Sequence, residues 1–288
     1  MAGFTFEKNL AHQEAGGNAV MSLFVGGDPV SSTDTTTRLL SNPELRISDN
    51  QYYANIKGIQ DYNGIEHSKD YYDCSNIIDI SMETGTGKTY TYAKTMYDLN
   101  KAFGLNKFIV IVPTLSIKAG TVNFLKSDAL KEHFRDDYGR EIKTYIVESK
   151  KGAKKNTKAY MPQSIHDFVN ANSVSKKYIH VLIINSGMIN SPSLQEDKYD
   201  TGLFNNQFDC PVDALKAVKP IIIVDEPHKF PTAKKTWENI ERIQAQYIIR
   251  YGATFNDDYK NLVYRLTAVD AFNDDLVKGI NAYIEDVV

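Results

Sequence analysis

The sequence predicts an α/β protein built on a parallel β-sheet with helices on both faces. Three observations support this prediction: solid apolar runs recur along the chain, helix-like segments separate them, and the first run leads directly into a glycine-rich turn. Strands that are buried on both faces read as continuous apolar runs, whereas half-exposed strands alternate apolar and polar residues. The alternation of apolar runs with helical segments therefore indicates the fold class, although it leaves the order of the strands open.

The apolar runs predict five strands, over residues 77–80, 108–112, 179–184, 220–224 and 247–250. The clearest helix covers residues 89–103 and ends at Gly104, a residue type that commonly ends helices. An amphipathic helix is also expected over residues 5–25, where Gly16 and Gly17 would weaken or end it.

Two long stretches lack the apolar runs of the sheet. Residues 28–75 are rich in Ser, Thr, Asn, Asp and Tyr, and are expected to be irregular with at most one short strand. Residues 125–177 are largely polar and are expected to be an insertion.

Composition and charge exclude several classes of function. The chain has 288 residues and a net charge of −3, so it is not a polycation that coats nucleic acid, although a local basic surface can still bind phosphates. No run approaches the roughly 20 apolar residues that a membrane-spanning helix needs. The N terminus lacks a secretory pattern, and the two distant cysteines, Cys74 and Cys210, predict neither a disulfide framework nor a zinc site. A cytoplasmic protein is expected.

A glycine-rich loop lies between the first strand and the clearest helix. Residues 82–89 read Met-Glu-Thr-Gly-Thr-Gly-Lys-Thr, and Met82 stands where the general pattern has a glycine. Glycines allow a tight turn whose N–H groups point at a phosphate, beside a helix N terminus that favours negative charge. The alternative is a chance turn with a solvated lysine, but the strand–loop–helix context favours a nucleotide site. The predicted nucleotide-binding residues are Thr84, Gly85, Thr86, Gly87, Lys88 and Thr89. Lys88 would reach the β- and γ-phosphates, and the Thr89 hydroxyl would ligate Mg²⁺.

Two carboxylates, Asp225 and Glu226, follow the fourth predicted strand. Carboxylates at the end of a buried strand are costly unless they face a cleft with a metal or ligand. In a nucleoside triphosphatase the first holds Mg²⁺ through water and the second polarises the attacking water. Alone, the pair would favour a strand-end turn with a helix-capping Asp, but a phosphate loop in the same chain reverses this preference and favours the functional interpretation. Gly252, Ala253 and Thr254 follow the fifth strand, and their position after the carboxylates makes them informative.

Together these elements resemble the first motor lobe of a superfamily-two helicase, and more specifically the restriction (Res) subunit of type III restriction–modification enzymes. Asp-Glu-Pro-His is narrower than the general Asp-Glu-x-His, and therefore favours the more specific family. The resemblance rests on Phe-Glu-Lys-Asn-Leu-Ala-His-Gln at 6–13, the phosphate loop, Val-Pro-Thr-Leu-Ser-Ile-Lys-Ala-Gly at 112–120, Asp-Glu-Pro-His at 225–228 and Leu-Val-Tyr-Arg-Leu at 262–266.

The resemblance implies a role for each matching position. Gln13 would contact adenine, the alternative being a solvated helix glutamine. Asp225 would join Thr89 on Mg²⁺, and Glu226 would act as the base for water. The catalytic set would be Lys88, Asp225, Glu226 and His228. His228 would also couple the nucleotide state to DNA binding, together with Gly252, Ala253 and Thr254; the alternative is a structural histidine. Pro113 and Thr114 would lie near the nucleic-acid backbone.

The resemblance further implies an ATP- and Mg²⁺-dependent, RecA-like P-loop NTPase lobe of a bacterial type III site-specific deoxyribonuclease. In the full-length protein this lobe would drive translocation on double-stranded DNA beside a modification methyltransferase (Mod) subunit. Residues 1–270 would form the lobe and residues 271–288 would begin the connection to a second lobe. Because no second motor lobe or nuclease motif is found in these residues, the chain alone is expected to be a weak ATPase without nuclease activity.

Two alternatives to this function remain open at the level of sequence. The chain would also suit a lobe of another superfamily-two DNA helicase or remodeller, or a stand-alone nucleotide-binding switch that never moves on DNA.

Overall fold

The computed structural model describes residues 6–68, 76–148, 162–196, 204, 207–255 and 259–277. The strands are β1 (Asp28–Val30), β2 (Glu44–Arg46), β3 (Ile77–Met82), β4 (Lys107–Val112), β5 (Glu141–Ile146), β6 (Tyr178–Asn185), β7 (Ile221–Asp225), β8 (Tyr247–Gly252) and β9 (Leu262–Leu266). The helices are α1 (Ala11–Ser22), α2 (Thr35–Leu40), α3 (Asp49–Tyr62), α4 (Lys88–Phe103), α5 (Leu115–Lys126), α6 (Asp128–Tyr138), α7 (Gln163–Val169), α8 (Ser186–Ile189), α9 (Pro192–Gln195), α10 (Pro211–Ala217), α11 (Lys235–Glu241) and α12 (Ala268–Asn273), with a 3₁₀ turn at Pro227–Lys229.

Seven strands form one sheet in the order β5-β6-β4-β7-β8-β3-β9, and every neighbouring pair is parallel. The strand β8 lies between β3 and β7. Because the carboxyl ends of parallel strands meet at one edge of a sheet, the segments that follow these three strands lie side by side. The strands β1 and β2 form a separate antiparallel pair.

The sheet is covered on both faces. Ile221 and Ile223 of β7 belong to the apolar cluster that includes α1, α3 and α4, whereas Ile222 and Val224 belong to the cluster that includes α7, α10 and α11. Successive side chains of a strand point to opposite faces, so a strand buried on both sides must be apolar throughout. The predicted fold class, an α/β protein with a parallel sheet and helices on both faces, is confirmed. No described helix has the length and apolar character needed to cross a bilayer.

All five predicted strands and the predicted helix at 89–103 are present, within one or two residues of their expected ends. Sequence analysis missed the two edge strands. In β5 only Ile142 and Tyr145 are buried, and polar residues stand between them, so the strand has no solid apolar run. The strand β9 has only five residues, and its Arg265 is exposed.

The expected irregular structure over residues 28–75 is wrong for most of its described part, which contains β1, α2, β2 and α3. The helix α3 buries Tyr52, Ile56, Ile59 and Gln60 along one face, and the Ser48 side chain accepts a hydrogen bond from Gln51 N–H at its start. Two of these four buried residues carry polar groups, which weakened the apolar periodicity.

The described parts of residues 125–177 are not an insertion outside the fold, because they contribute α6, β5 and α7, and β5 pairs with β6 along its whole length. The first helix is shorter than expected, beginning at Ala11 and ending at Ser22. Gly16 and Gly17 do not end it. A Cβ at Gly16 would lie 3.3 Å from Thr91 Cγ2, so this glycine allows α1 to approach α4 closely.

A buried ion pair joins β3 to β8. The Arg250 guanidinium donates to both oxygens of Asp79, at 2.6 and 2.7 Å, and both side chains are almost completely buried. Lys260 N–H donates to the same carboxylate at 2.8 Å. The rings of Trp237 and Phe255 lie 5.6 and 5.4 Å from the guanidinium carbon. Each charge is therefore compensated only as long as its partner is present.

We expect Arg250→Met to lower the free energy of unfolding by about 3–5 kcal/mol, because it leaves the Asp79 charge buried and unpaired. The Asp79→Asn/Arg250→Met double variant should recover part of this loss, since it carries no charge and its amide oxygen can still accept from Lys260 N–H. The control is Lys131→Met, whose partner Asp128 is 89% exposed, with an expected change within about 0.5 kcal/mol. Denaturant unfolding measures all three. A double variant less stable than Arg250→Met would contradict the argument.

Candidate functional site

The three predicted motifs meet at the carboxyl edge of the sheet. The phosphate loop follows β3, the two carboxylates lie at the end of β7, and Gly252 ends β8 between them. Pro113 and Thr114 follow β4, the neighbour of β7 on its other side. The structure therefore brings together four segments that are far apart in sequence.

The phosphate loop turns at two glycines with left-handed backbone, Gly85 at φ 86° and Gly87 at φ 91°. Other residue types adopt such angles only with strain. The Thr86 hydroxyl donates to Glu83 O at 2.7 Å and closes the turn. Thr84 and Gly85 are exposed, so this part of the loop is accessible to a ligand. The helix α4 begins directly afterwards, at Lys88.

The first helix holds this loop from the side. Gln13 Nε2 donates to Thr86 O at 3.2 Å, and His12 Nε2 lies 2.8 Å from the same oxygen. A Cβ at Gly87 would collide with Gln13 Nε2. Gln13 is only 7% exposed, so the interpretation as a solvated glutamine is wrong. Sequence analysis did not identify His12 as a site residue, although it stands beside Gln13 in the opening motif.

Lys88, Glu226 and His228 form a short chain of contacts. Lys88 Nζ lies 3.6 Å from Glu226 Oε1 and donates to Met82 O at 3.4 Å. The other oxygen, Glu226 Oε2, lies 3.4 Å from His228 Nδ1. Lys88 is 8% exposed, so its charge is stabilised chiefly by these neighbours. The lysine of one motif thus pairs with the second carboxylate of another.

Asp225 is buried and electrostatically strained. Burial and, to a smaller extent, the charge of Glu226 raise the pKa of its carboxyl to about 6, against a smaller lowering by the charge of Lys88. A cation beside Asp225 would relieve this strain. No group of three or more His, Cys, Asp or Glu side chains arranged for a metal occurs among the described residues. One carboxylate with the Thr89 hydroxyl fits Mg²⁺, which takes few protein ligands and completes its shell with water and substrate phosphates.

The acidic motif and the Gly-Ala-Thr motif interlock. Glu226 has left-handed backbone at φ 56°, and its N–H donates to Tyr251 O at 3.0 Å. A Cβ at Gly252 would lie 2.6 Å from Pro227 Cδ. The proline of Asp-Glu-Pro-His therefore requires the glycine of Gly-Ala-Thr. Ala253 is half-buried, and Thr254 is exposed at the same edge of the sheet.

Thr114 caps α5, because its Oγ1 accepts a hydrogen bond from Ile117 N–H at 3.2 Å. Ser186, the first residue of α8, donates to Pro113 O at 2.8 Å and anchors the segment. Thr114 and the following Leu115 are exposed. The segment is accessible at the same edge as the nucleotide motifs, as its predicted role requires.

Two clefts of about 430 and 410 Å³ lie elsewhere, near the amino ends of β4, β5 and β6. Their walls include Asn106 and Arg140 in one and His180 in the other, and no predicted site residue. The candidate site is an open edge of the sheet and is distinct from both clefts.

The chain matches known proteins over nearly its whole length. The family model for the type III restriction enzyme Res subunit matches residues 45–257. The chain is 73% identical over 279 residues to the EcoP15I Res subunit of Escherichia coli and 71% identical over 279 residues to the EcoPI Res subunit of Escherichia phage P1. Each match covers 96% of this chain and 29% of the relative, so the chain spans less than a third of these relatives.

Among solved structures, the chain is similar to a nuclease-deletion mutant of the type ISP restriction-modification enzyme LlaGI in complex with a DNA substrate mimic. The identity is 17% and the TM-score is 0.43, over 80% of this chain and 21% of that one.

We expect Gly252→Ala to destabilise the chain by about 1–3 kcal/mol, because the added methyl overlaps the rigid Pro227 ring. Pro227→Ala in the same chain should recover part of the loss by opening the space. Gly120→Ala is the matched control, since nothing lies within 4 Å of its Cβ, and it should be neutral or slightly stabilising. Thermal and denaturant unfolding provide the measurement. Equal effects at Gly252 and Gly120 would refute the interlock.

We expect Asp225→Asn to stabilise the metal-free chain in a pH-dependent way. The pKa of this carboxyl is about 6 in the folded chain and 3.8 ordinarily, so the folded state binds the proton more tightly than the unfolded state. The stabilisation that this proton provides is lost as the pH rises through 6. The amide cannot ionise, so the variant should match the parent near pH 4 and exceed it by about 2–3 kcal/mol at pH 7. Urea unfolding in EDTA at both pH values tests this. A gain of equal size at pH 4 would argue against it.

Proposed function

This chain belongs to the family of type III restriction enzyme Res subunits, and from that premise we propose that it is an ATP-binding and ATP-hydrolysing motor lobe. In the longer protein, the lobe would couple ATP hydrolysis to translocation on double-stranded DNA. The observation that carries the proposal is the convergence of Lys88, Asp225 and Glu226 at one edge of the sheet, with the Lys88 ammonium 3.6 Å from Glu226.

Each part of the site would have its own role in nucleotide binding and hydrolysis. The exposed glycine turn presents N–H groups to the phosphates, and the start of α4 adds its favourable dipole. Thr89 and Asp225 would hold Mg²⁺, which when bound neutralises phosphate charge. Lys88 exchanges its contact with Glu226 for a phosphate oxygen. Glu226 then loses its cationic partner and becomes free to accept a proton from the attacking water.

Gln13 would recognise the base from α1. Its Nε2 donates a hydrogen bond to Thr86 O. The carbonyl oxygen of the same side-chain amide can accept a hydrogen bond from the amino group of adenine. Base recognition and the shape of the phosphate loop would therefore depend on the same side chain.

His228, Gly252, Ala253 and Thr254 would report the nucleotide state to the DNA-binding surface. His228 contacts Glu226 directly, and Gly252 packs against Pro227. A change at the γ-phosphate that moves Glu226 would thus reach the end of β8. Pro113 and Thr114, two strands away, would contact the DNA backbone.

The remaining partners lie outside these residues. We expect a second motor lobe to contribute arginines to the ATP site, a nuclease domain to cut DNA, and a Mod methyltransferase to read the recognition sequence, all in the bacterial cytoplasm. The isolated chain would then bind ATP yet hydrolyse it slowly. Family membership favours this function over another helicase or a stand-alone switch.

We expect Lys88→Ala to weaken Mg²⁺-ATP binding by about 10- to 100-fold, because one charge-assisted contact to phosphate is lost. Glu226→Gln should bind ATP at least as well as the parent but lose turnover by about 10²–10⁴-fold. Lys101→Ala, on the exposed last turn of the same helix, is the matched control. Calorimetry measures binding, and phosphate release measures turnover with and without duplex DNA. Binding that survives Lys88→Ala would overturn the proposal.

A further inference from the structure

His12 binds the phosphate loop, although the site motifs give it no role. It is the second residue of α1 and only 9% exposed, and its Nε2 lies 2.8 Å from Thr86 O. A carbonyl oxygen only accepts hydrogen bonds, so Nε2 carries the proton and donates it. This bond is shorter than the 3.2 Å bond of Gln13 Nε2 to the same oxygen. The two donors together use both lone pairs of the carbonyl.

The helix that carries His12 is fixed to α4. Lys94 Nζ of α4 lies 3.2 Å from Glu14 Oε2 of α1. Further along α1, a Cβ at Gly16 would lie 3.3 Å from Thr91 Cγ2, so the two helices are in close contact there. Because α4 begins directly after the phosphate loop, these contacts fix the position of the imidazole relative to the loop.

Thr86 and Gly87 share one peptide group, which is planar and trans. The carbonyl and the N–H of such a group point in opposite directions. Because Thr86 O is held toward α1, the Gly87 N–H points away from α1. The N–H groups of Thr84 and Thr86 donate to Glu83 inside the loop, whereas the Gly87 N–H donates to no group among the described residues. The Gly87 N–H is therefore left for a ligand.

We propose that His12 is a positioning residue that holds the Thr86–Gly87 peptide so that the Gly87 N–H donates to a nucleotide phosphate. The proposal rests on the ATP-binding function proposed above, and it separates two tasks at the start of α1. The amide of Gln13 would be shared between the loop and adenine, whereas the imidazole of His12 serves the loop alone. The loop then has one donor that does not depend on the base.

The test compares two amide side chains at position 12. His12→Gln keeps an N–H donor at the reach of the imidazole Nε2, whereas His12→Asn is one methylene shorter and leaves Thr86 O without this donor. We expect the affinity for ADP to fall about three- to tenfold in His12→Asn, the change typical of one lost hydrogen bond, and to stay within about twofold of the parent in His12→Gln. Competition against a fluorescent ATP analogue measures both.

Adenosine separates this role from a general structural one, because it has no phosphate. Its affinity should be the same in the parent and in His12→Asn, whereas a displaced α1 would weaken adenosine and ADP together. The amide signal of Gly87 gives a second, direct measurement. Labelling with ¹³C-carbonyl threonine and ¹⁵N-glycine selects the few glycines that follow a threonine, and Gly87 is one of them. ADP should move its amide proton downfield in the parent, and less in His12→Asn.

The matched control is His180→Asn. His180 is also a buried histidine whose Nε2 contacts a backbone carbonyl, Asn172 O at 3.2 Å, but it lies beside a cleft near the amino ends of the strands. Its substitution reproduces the loss of a buried imidazole and should leave the affinity for ADP unchanged.

The outcomes separate this proposal from the function on which it rests. Lys88-dependent binding of ADP with equal affinities in His12→Asn and His12→Gln would overturn the role of His12 alone. An equal loss of ADP and adenosine affinity in His12→Asn, or a Gly87 amide that ADP does not move, would overturn it as well. Absence of Lys88-dependent binding in the parent chain would overturn both the role of His12 and the proposed function.

Discussion

The hydrogen bonds of β8 are the interaction on which the rest of the structure depends. This strand pairs with β3 on one side and with β7 on the other, and it thereby sets the distance between the phosphate loop and the two carboxylates. The ion pair of Asp79 with Arg250 strengthens one side of this arrangement, and the bond from Glu226 N–H to Tyr251 O extends the other. Lys88 can reach Glu226 only because both of their strands are held by the same neighbour.

The site carries several features that work against stability. Asp225 is a buried carboxylate, and Glu226 adopts a backbone conformation that suits glycine better. Such features persist only where the surrounding structure determines them strongly. Here the surroundings are apolar strands on both sides and the Pro227–Gly252 contact, so a rigid scaffold holds strained groups where a nucleotide would bind.

Sequence analysis succeeded where the evidence is local. The strand, the two glycines and Lys88 are consecutive, and their chemistry can be read without knowing the fold. It failed for β5, which buries only Ile142 and Tyr145 at the sheet edge, and for α3, whose buried face includes Tyr52 and Gln60. Contacts between distant residues were also out of reach, such as those of His12 with Thr86 and of Tyr92 with Thr121. One signal was available: Asp79 and Arg250 each interrupt an apolar run, and opposite charges inside two buried strands indicate a pair.

The position of β3 in the sheet has a consequence for synthesis of the chain. Its two partners, β8 and β9, come near the end of the described chain, and Arg250 follows Asp79 by 171 residues. At about 5–20 residues per second, a ribosome would take roughly 10–30 s to make that interval. During this time the phosphate-loop strand has an unpaired backbone on both sides and an unneutralised carboxylate. The nucleotide site is thus assembled only after β8 has been made, and the nascent chain must protect an apolar strand from aggregation until its partners emerge.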